Sequence, residues 1–265
     1  MKKKRIICIV QARISSKRLP AKILLPGFDK PLLLHTIERL KKSKLIDEVV
    51  IATSNLKIDD VIFNICKRNN INTYRGHPLN LLDRYYKCAK KYKAKTIVRI
   101  TSDCPLIDYK IVDSVIKKFK DSNVDYCSNN HPPTFPDGFD VEVFSFEVLK
   151  RTYFKANKNF EKEHVTPYIW DNPNKFKIGN FRTSLIKRRY HDKYRLTLDY
   201  KEDFYVIWNI YKDLYPKKKY FELKDIINYL TKKPNILINN HYIKVNWYKD
   251  HYKKLKTINK KYTKY

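Results

Sequence analysis

Short apolar runs alternate with longer stretches of helical periodicity through the first half of this chain. Arg5 to Gln11 is polar only at its ends and reads as a buried parallel strand. A polar loop with Pro20, Pro26 and Gly27 follows, and Pro31 to Lys42 then sets Leu33, Ile37 and Leu40 on one helical face. Further strands are predicted at Glu48 to Thr53, Asn72 to Arg75, Thr96 to Ile100 and Asp125 to Ser128. Helical patterns fill the intervals at Asp59 to Asn69, Leu79 to Tyr92 and Asp108 to Lys120. Asp59 and Asp60 suit a helical first turn, where the dipole favours acids.

This alternation predicts an α/β fold, a three-layer Rossmann-like and mostly parallel sheet with helices on both faces. Ligands of such sheets sit beyond the carboxyl ends of the strands. That directs attention to the loops after Gln11, Arg75, Ile100 and Ser128. Past residue 128 the pattern changes. Asn130 to Gly138 is rich in Pro, and Asp140 to Phe144 alternates like a strand. Helices are expected at Phe146 to Phe154, Glu161 to Trp170, Glu202 to Leu214 and Leu223 to Lys232, with strands at Phe176 to Phe181 and Arg195 to Leu198. The expected organisation is one domain over 1–234 and a basic C-terminal extension over 235–265, packed on that domain or mobile.

Composition narrows the class. With 265 residues, 43% of them hydrophobic, the chain can bury a sizeable core, and 12 Pro and 4 Gly argue against disorder. No apolar run approaches the roughly 18 residues of a membrane span. The basic start Met1-Lys2-Lys3-Lys4-Arg5 precedes an apolar run too short for a signal peptide, so a cytoplasmic protein is expected. The five cysteines are odd in number and show neither CxxC nor zinc spacing, as for buried thiols in a reducing compartment. A formal charge of +30 attracts polyanions. Lys, Asn, Ile and Tyr are abundant throughout, with basic clusters at Arg182 to Arg195 and Lys253 to Lys264. No nucleic-acid-binding motif accompanies them, so no specific nucleic-acid ligand is expected.

The loop after the first strand contains neither GxGxxG nor a Walker sequence, so phosphate would be held by side chains and loop amides. Arg13, Lys17, Arg18 and Lys22 offer four cations within ten residues. Asp103, just past the fourth strand, and Asp199, after Arg195 to Leu198, could hold Mg²⁺, which takes one or two carboxylates beside substrate phosphates. Asp108 fits a helix N-cap, and Asp103 could cap similarly. After the Asp137-Gly138 turn, strand alternation puts Asp140 and Glu142 on one face, either for sugar hydroxyls or simply toward solvent. His164 is the best placed of seven histidines, though a lone helical His is commonly structural.

Together these stretches resemble the cytidylyltransferases that make CMP-activated sugars, and most closely the spore-coat polysaccharide cytidylyltransferase-like proteins. The resemblance rests on Gln11-Ala12-Arg13 through Arg18-Leu19-Pro20-Ala21-Lys22, on Leu82-Asp83-Arg84-Tyr85, and on Arg99 to Asp108. It continues through Asp137 to Phe144, Glu163 to Tyr168 and Arg195 to Phe204, in order, over about residues 5–230. It implies a nucleotide-diphospho-sugar transferase fold that uses CTP and Mg²⁺. By resemblance, Gln11, Ala12, Arg13, Arg18, Lys22, Arg84 and Arg99 bind nucleotide, with Arg13 and Lys22 catalytic. Asp103 and Asp199 bind metal, and Asp140, Glu142 and His164 face a small sugar-like acceptor. A homodimer through the region of Asn130 to Glu142 is also implied. Ala21 and Ser102 stand where many relatives have Gly.

The expected reaction is attack by an acceptor oxygen on the α-phosphorus of CTP, releasing pyrophosphate, for surface polysaccharide or glycoconjugate synthesis. Alternatives are a nucleotidyltransferase for another base or acceptor, a glycosyltransferase, a basic binding protein, and a non-catalytic scaffold. Asp103-Cys104-Pro105 lacks the Asp-x-Asp pattern expected of a glycosyltransferase.

Overall fold

In the computed structural model, which describes residues 5–183, 190–241, 243 and 252–255, strand β1 (Ile6–Gln11) is buried on both faces. Alternate side chains of a strand point to opposite sides. Cys8 and Val10 accordingly enter one hydrophobic core, and Ile7 and Ile9 enter another across the sheet. A strand apolar on both faces needs cover on both, which is why the chain builds three layers.

Among the described residues the sheet has seven strands: β1, β2 (Glu48–Ser54), β3 (Asn72–Gly76), β4 (Thr96–Thr101), β5 (Tyr126–Ser128), β6 (Glu142–Ser145) and β7 (Ile178–Asn180). Their order is β3-β2-β1-β4-β6-β5-β7. β1 runs parallel to β2 and β4, and β2 to β3. β6 lies antiparallel between β4 and β5, and β5 pairs in parallel with β7.

The first core is covered by α1 (Leu32–Leu40), α2 (Asp60–Arg68), α4 (Tyr109–Asp121), α9 (Lys201–Leu214) and α10 (Leu223–Lys232). The second is covered by α3 (Leu81–Lys91), α5 (Phe146–Lys155), α6 (Asn159–His164) and α7 (Pro167–Trp170). Short helices α8 (Tyr190–Lys193) and α11 (Ile238–His241) complete the described set. Asp108 caps α4 as expected, accepting from the Lys110 amide at 2.9 Å. All five cysteines are buried free thiols, and burial pushes Cys127 up to about 11, away from nucleophilic character.

Two sequence expectations change. The helix expected from Glu161 to Trp170 is two helices, because Val165 adopts a left-handed φ of 71° and Pro167 starts a new turn. Arg195 to Leu198 is buried and extended in its bonding, but it joins no strand of the sheet. Its amides serve loops instead, Leu196 donating to the Asp137 carbonyl and Leu198 to that of Asp103, both at 2.8 Å. A carbonyl can satisfy an amide from a loop as well as from a strand, so the apolar run misled the assignment.

Of the extension after residue 234, Ile236 packs into the first core and Leu255 into the second. Residues 1–4, 184–189 of the first basic cluster and 256–265 of the second lie outside the described residues. No helix among the described residues is long and apolar enough to cross a membrane.

Candidate active site

The loop after β1 is held by its own backbone and by β2. The Ala12 amide donates to the Ala52 carbonyl and the Ala21 amide to that of Ile14, both at 3.1 Å. The Ile14 amide donates to Asp59 Oδ1 at 2.8 Å, and Ser54 Oγ donates to the other oxygen of Asp59. Asp59, expected merely to favour a helix dipole, is thus a buried pin for the loop. The chain then turns at Ala21, with φ 54° and ψ 20°, into a single 3₁₀ turn over Lys22–Leu24. This left-handed geometry is one that Gly adopts at less cost than Ala. Ser102 has no such φ, so its side chain costs the backbone nothing comparable.

That turn carries Lys22 inward. Its Nζ donates to Asp199 Oδ1 at 2.9 Å and to Asp103 Oδ2 at 3.2 Å. Arg18 donates to the same Asp199 oxygen. Arg195 Nη2 reaches the other, Oδ2, at 3.1 Å. Residues distant in sequence meet because β1 and β4 are neighbours and both deliver their loops at their carboxyl ends. Burial works against the Lys22 ammonium, but Asp103 and Asp199 outweigh it and hold its pKa above the ordinary value. Burial likewise opposes the Asp199 carboxylate, yet Lys22 and Arg18 bring it down to about 2.

Arg195, Asp203 and Asn240 set where Asp199 stands. Arg195 Nε donates to Asp203 Oδ1 at 3.0 Å, and its Nη1 to Asp137 Oδ2 at 3.1 Å. Asp203 Oδ2 accepts the amides of Asp199 and Tyr200, at 2.9 and 3.0 Å. Asn240 Nδ2 donates to the remaining Asp203 oxygen. Arg195, Asp203 and Asn240 were not nominated from sequence. An acid in the first turn after Tyr200, spaced to cap α9, was the legible signal for Asp203. Nothing local marks Arg195 or Asn240.

The other nominated residues divide. Arg13 is exposed, with no ion pair among the described residues, and its positive charge adds to burial in lowering the Arg84 pKa. Arg84 itself is buried and spends its donors on the carbonyls of Ala52, His77 and Pro78, bracing the loop after β3. Gln11 Oε1 accepts from the Tyr85 hydroxyl at 3.2 Å. Asp140 precedes β6, so it does not share a strand face with Glu142 as the alternation suggested. Glu142 is 1% exposed and spent within the fold, taking Arg99, the Tyr126 hydroxyl at 2.6 Å and Thr166 Oγ1 at 2.7 Å. Asp140 is half-buried, and burial with the nearby charges of Asp137 and Asp103 pushes its pKa well above the carboxylate range. His164 ends α6 with its ring 4.6 Å from that of Phe160. Its carbonyl accepts the Thr166 amide, which links it to the Glu142 anchor.

Among the described residues no group of three or more His, Cys, Asp or Glu forms a metal cage. A pair of carboxylates nevertheless suits Mg²⁺ when phosphates supply further oxygens. Asp103 and Asp199 are such a pair, and one ammonium touches both.

Known proteins resemble this chain over most of its length. The cytidylyltransferase family model matches residues 7–256. An uncharacterized protein of Methanocaldococcus jannaschii is 36% identical over 251 residues, covering 93% of this chain and 98% of its own. The spore coat polysaccharide biosynthesis protein SpsF of Bacillus subtilis is 32% identical over 212 residues, 78% of this chain and 86% of that protein. The solved structure of a cytidylyltransferase from Leptospira borgpetersenii superposes with a TM-score of 0.82 at 36% identity, covering 89% of this chain and 97% of that one.

Proposed function

This chain belongs to the cytidylyltransferase family and is a nucleotidyltransferase that uses CTP, and from that premise we propose that it transfers CMP to a small sugar-like acceptor. The observation that carries the proposal is the convergence of Lys22, Arg18, Asp103 and Asp199 at the carboxyl ends of β1 and β4. The likeness to SpsF supports an acceptor destined for surface polysaccharide or glycoconjugate synthesis.

In the proposed reaction an acceptor oxygen forms a bond to the α-phosphorus as the bond from that phosphorus to the bridging oxygen breaks. Pyrophosphate leaves with that electron pair. Arg13 and Lys22 bind the triphosphate, and Arg18 and Lys17 flank it on the same loop. Asp103 and Asp199 would hold Mg²⁺, which supplies charge neutralisation on the phosphate oxygens when bound. Asp140, on the loop before β6, takes the proton of an acceptor hydroxyl. Positioning and charge supply the acceleration, and no covalent nucleophile is needed. A homodimer along Asn130 to Glu142 completes the proposal, and sedimentation would resolve it from a monomer.

Thermal unfolding with each nucleoside triphosphate, with and without Mg²⁺, tests the function. A ligand at 100 times its Kd stabilises by about 2.7 kcal/mol, or roughly 5–10 °C for a domain of this size. We expect a Mg²⁺-dependent shift selective for CTP that disappears in Asp103→Asn. Equal small shifts with all four nucleotides, fading with salt, would mean that the net positive charge merely collects polyanions.

A further inference from the structure

Lys22 Nζ lies 2.9 Å from Asp199 Oδ1 and 3.2 Å from Asp103 Oδ2. These are the carboxylates assigned to Mg²⁺ above, so an ammonium stands where a cation bound by both would bind. The two positive charges cannot share the place. The side chains of Lys22 and Asp199 are each only 11% exposed, so little water separates like charges there. Arg18 and Arg195 already compensate Asp199 further. A divalent ion arriving alone therefore gains little from these oxygens.

A triphosphate changes the balance, because it brings oxyanions to the loop that carries Arg13, Lys17 and Lys22. Resting on the CTP reading above, we propose that Lys22 is an exchangeable counter-ion. Its ammonium leaves Asp103 and Asp199 for the triphosphate on nucleotide binding, and so frees both carboxylates for the divalent ion. Lys suits this move: it is a point charge on a flexible stem, unlike the forked Arg195, which is tied to three carboxylates. Lys22 also begins a single 3₁₀ turn rather than standing in a strand, so its reorientation breaks no sheet pairing. Nucleotide and metal affinities are then linked, each raising the other by the same factor.

Mg²⁺ and CTP also associate in solution, so the deciding titration contains no nucleotide. Mn²⁺ alone is titrated into the full-length wild type and into Lys22→Met, with free Mn²⁺ read by electron paramagnetic resonance. Lys22→Met should bind Mn²⁺ about tenfold or more tighter than wild type, within the usual range of coupling between sites. Adding Asp103→Asn to that variant should abolish the gain. Lys22→Gln serves as a second neutral variant, and circular dichroism melting confirms that each is folded. Equal Mn²⁺ affinity in the wild type and the folded neutral variants overturns the exchange. Calorimetry of CTP with Mg²⁺ on the wild type tests the underlying reading separately. No CTP binding there overturns the CTP reading, whereas CTP binding with unchanged Mn²⁺ affinities overturns the exchange alone.

Discussion

Two aspartates of the site are driven in opposite directions by their neighbours. Asp199 is surrounded by Lys22, Arg18 and Arg195, and Asp140 by Asp137 and Asp103. A carboxylate depressed on folding stabilises the protein above its unfolded pKa, near 3.9, so the contribution of Asp199 is lost as pH falls from about 4 to about 2. Asp140 has the reverse sign. Its raised pKa makes it a liability once pH rises above the unfolded value, and neutral below it. Asp140→Asn should therefore stabilise the protein at pH 7, by about 0.5–2 kcal/mol as for other relieved functional strain. That gain should vanish below about pH 4, while pyrophosphate release falls. Chemical unfolding of both proteins across pH measures it, and a variant less stable at pH 7 would reject Asp140 as a strained group. That Asp103 and Asp199 would be near a cleft could be read from their places after apolar runs. The opposite behaviour of Asp140 could not, because it depends on burial and on the charge of Asp103 arriving from a separate loop beside that of Asp137.

At the scale of elements, Gly138 decides how the loop after β5 meets the segment leading into α9. It has a φ of 101°, and a Cβ there would lie 2.3 Å from the Leu196 carbonyl oxygen. The contact is to backbone, which cannot swing aside. Gly138→Ala should cost about 2–4 kcal/mol, combining left-handed strain with a clash, and should weaken nucleotide binding by displacing Arg195 and Asp199. Urea unfolding and CTP calorimetry would show this, and a variant with wild-type stability would mean that the segment yields easily. Strands β1, β2 and β4 were legible as apolar runs bounded by turns, and β3 and β5 as short stretches between helical patterns. The antiparallel insertion of β6 was not legible, since strand order is a tertiary property. Arg195 to Leu198 copied the signature of a strand because it is equally buried, while its hydrogen bonds run to loops.

For the whole molecule, the extension past residue 234 reaches the site through a buried amide. Asn240 donates to Asp203, which accepts the Asp199 amide and holds Arg195. Asn240→Ala removes one of two donors to that Asp203 oxygen, Arg195 Nε remaining, at an expected cost of about 1.5–3 kcal/mol for a lost hydrogen bond to a charged group. We also expect a smaller CTP-induced rise in Tm than in the wild type. An unchanged Tm and CTP response would show that Asp203 needs no help from the extension. At the other side of the sheet, β6 pairs antiparallel to β4 so that Arg99 and Glu142 lie opposite one another. On the proposed function, the nucleotide half of the site would sit at parallel strands β1 and β4, and the acceptor half at the loop before β6. Sequence drift in that loop would then redesign acceptor choice while leaving the triphosphate chemistry intact, which would make the loop before the inserted strand the place where one reaction diversifies into many products.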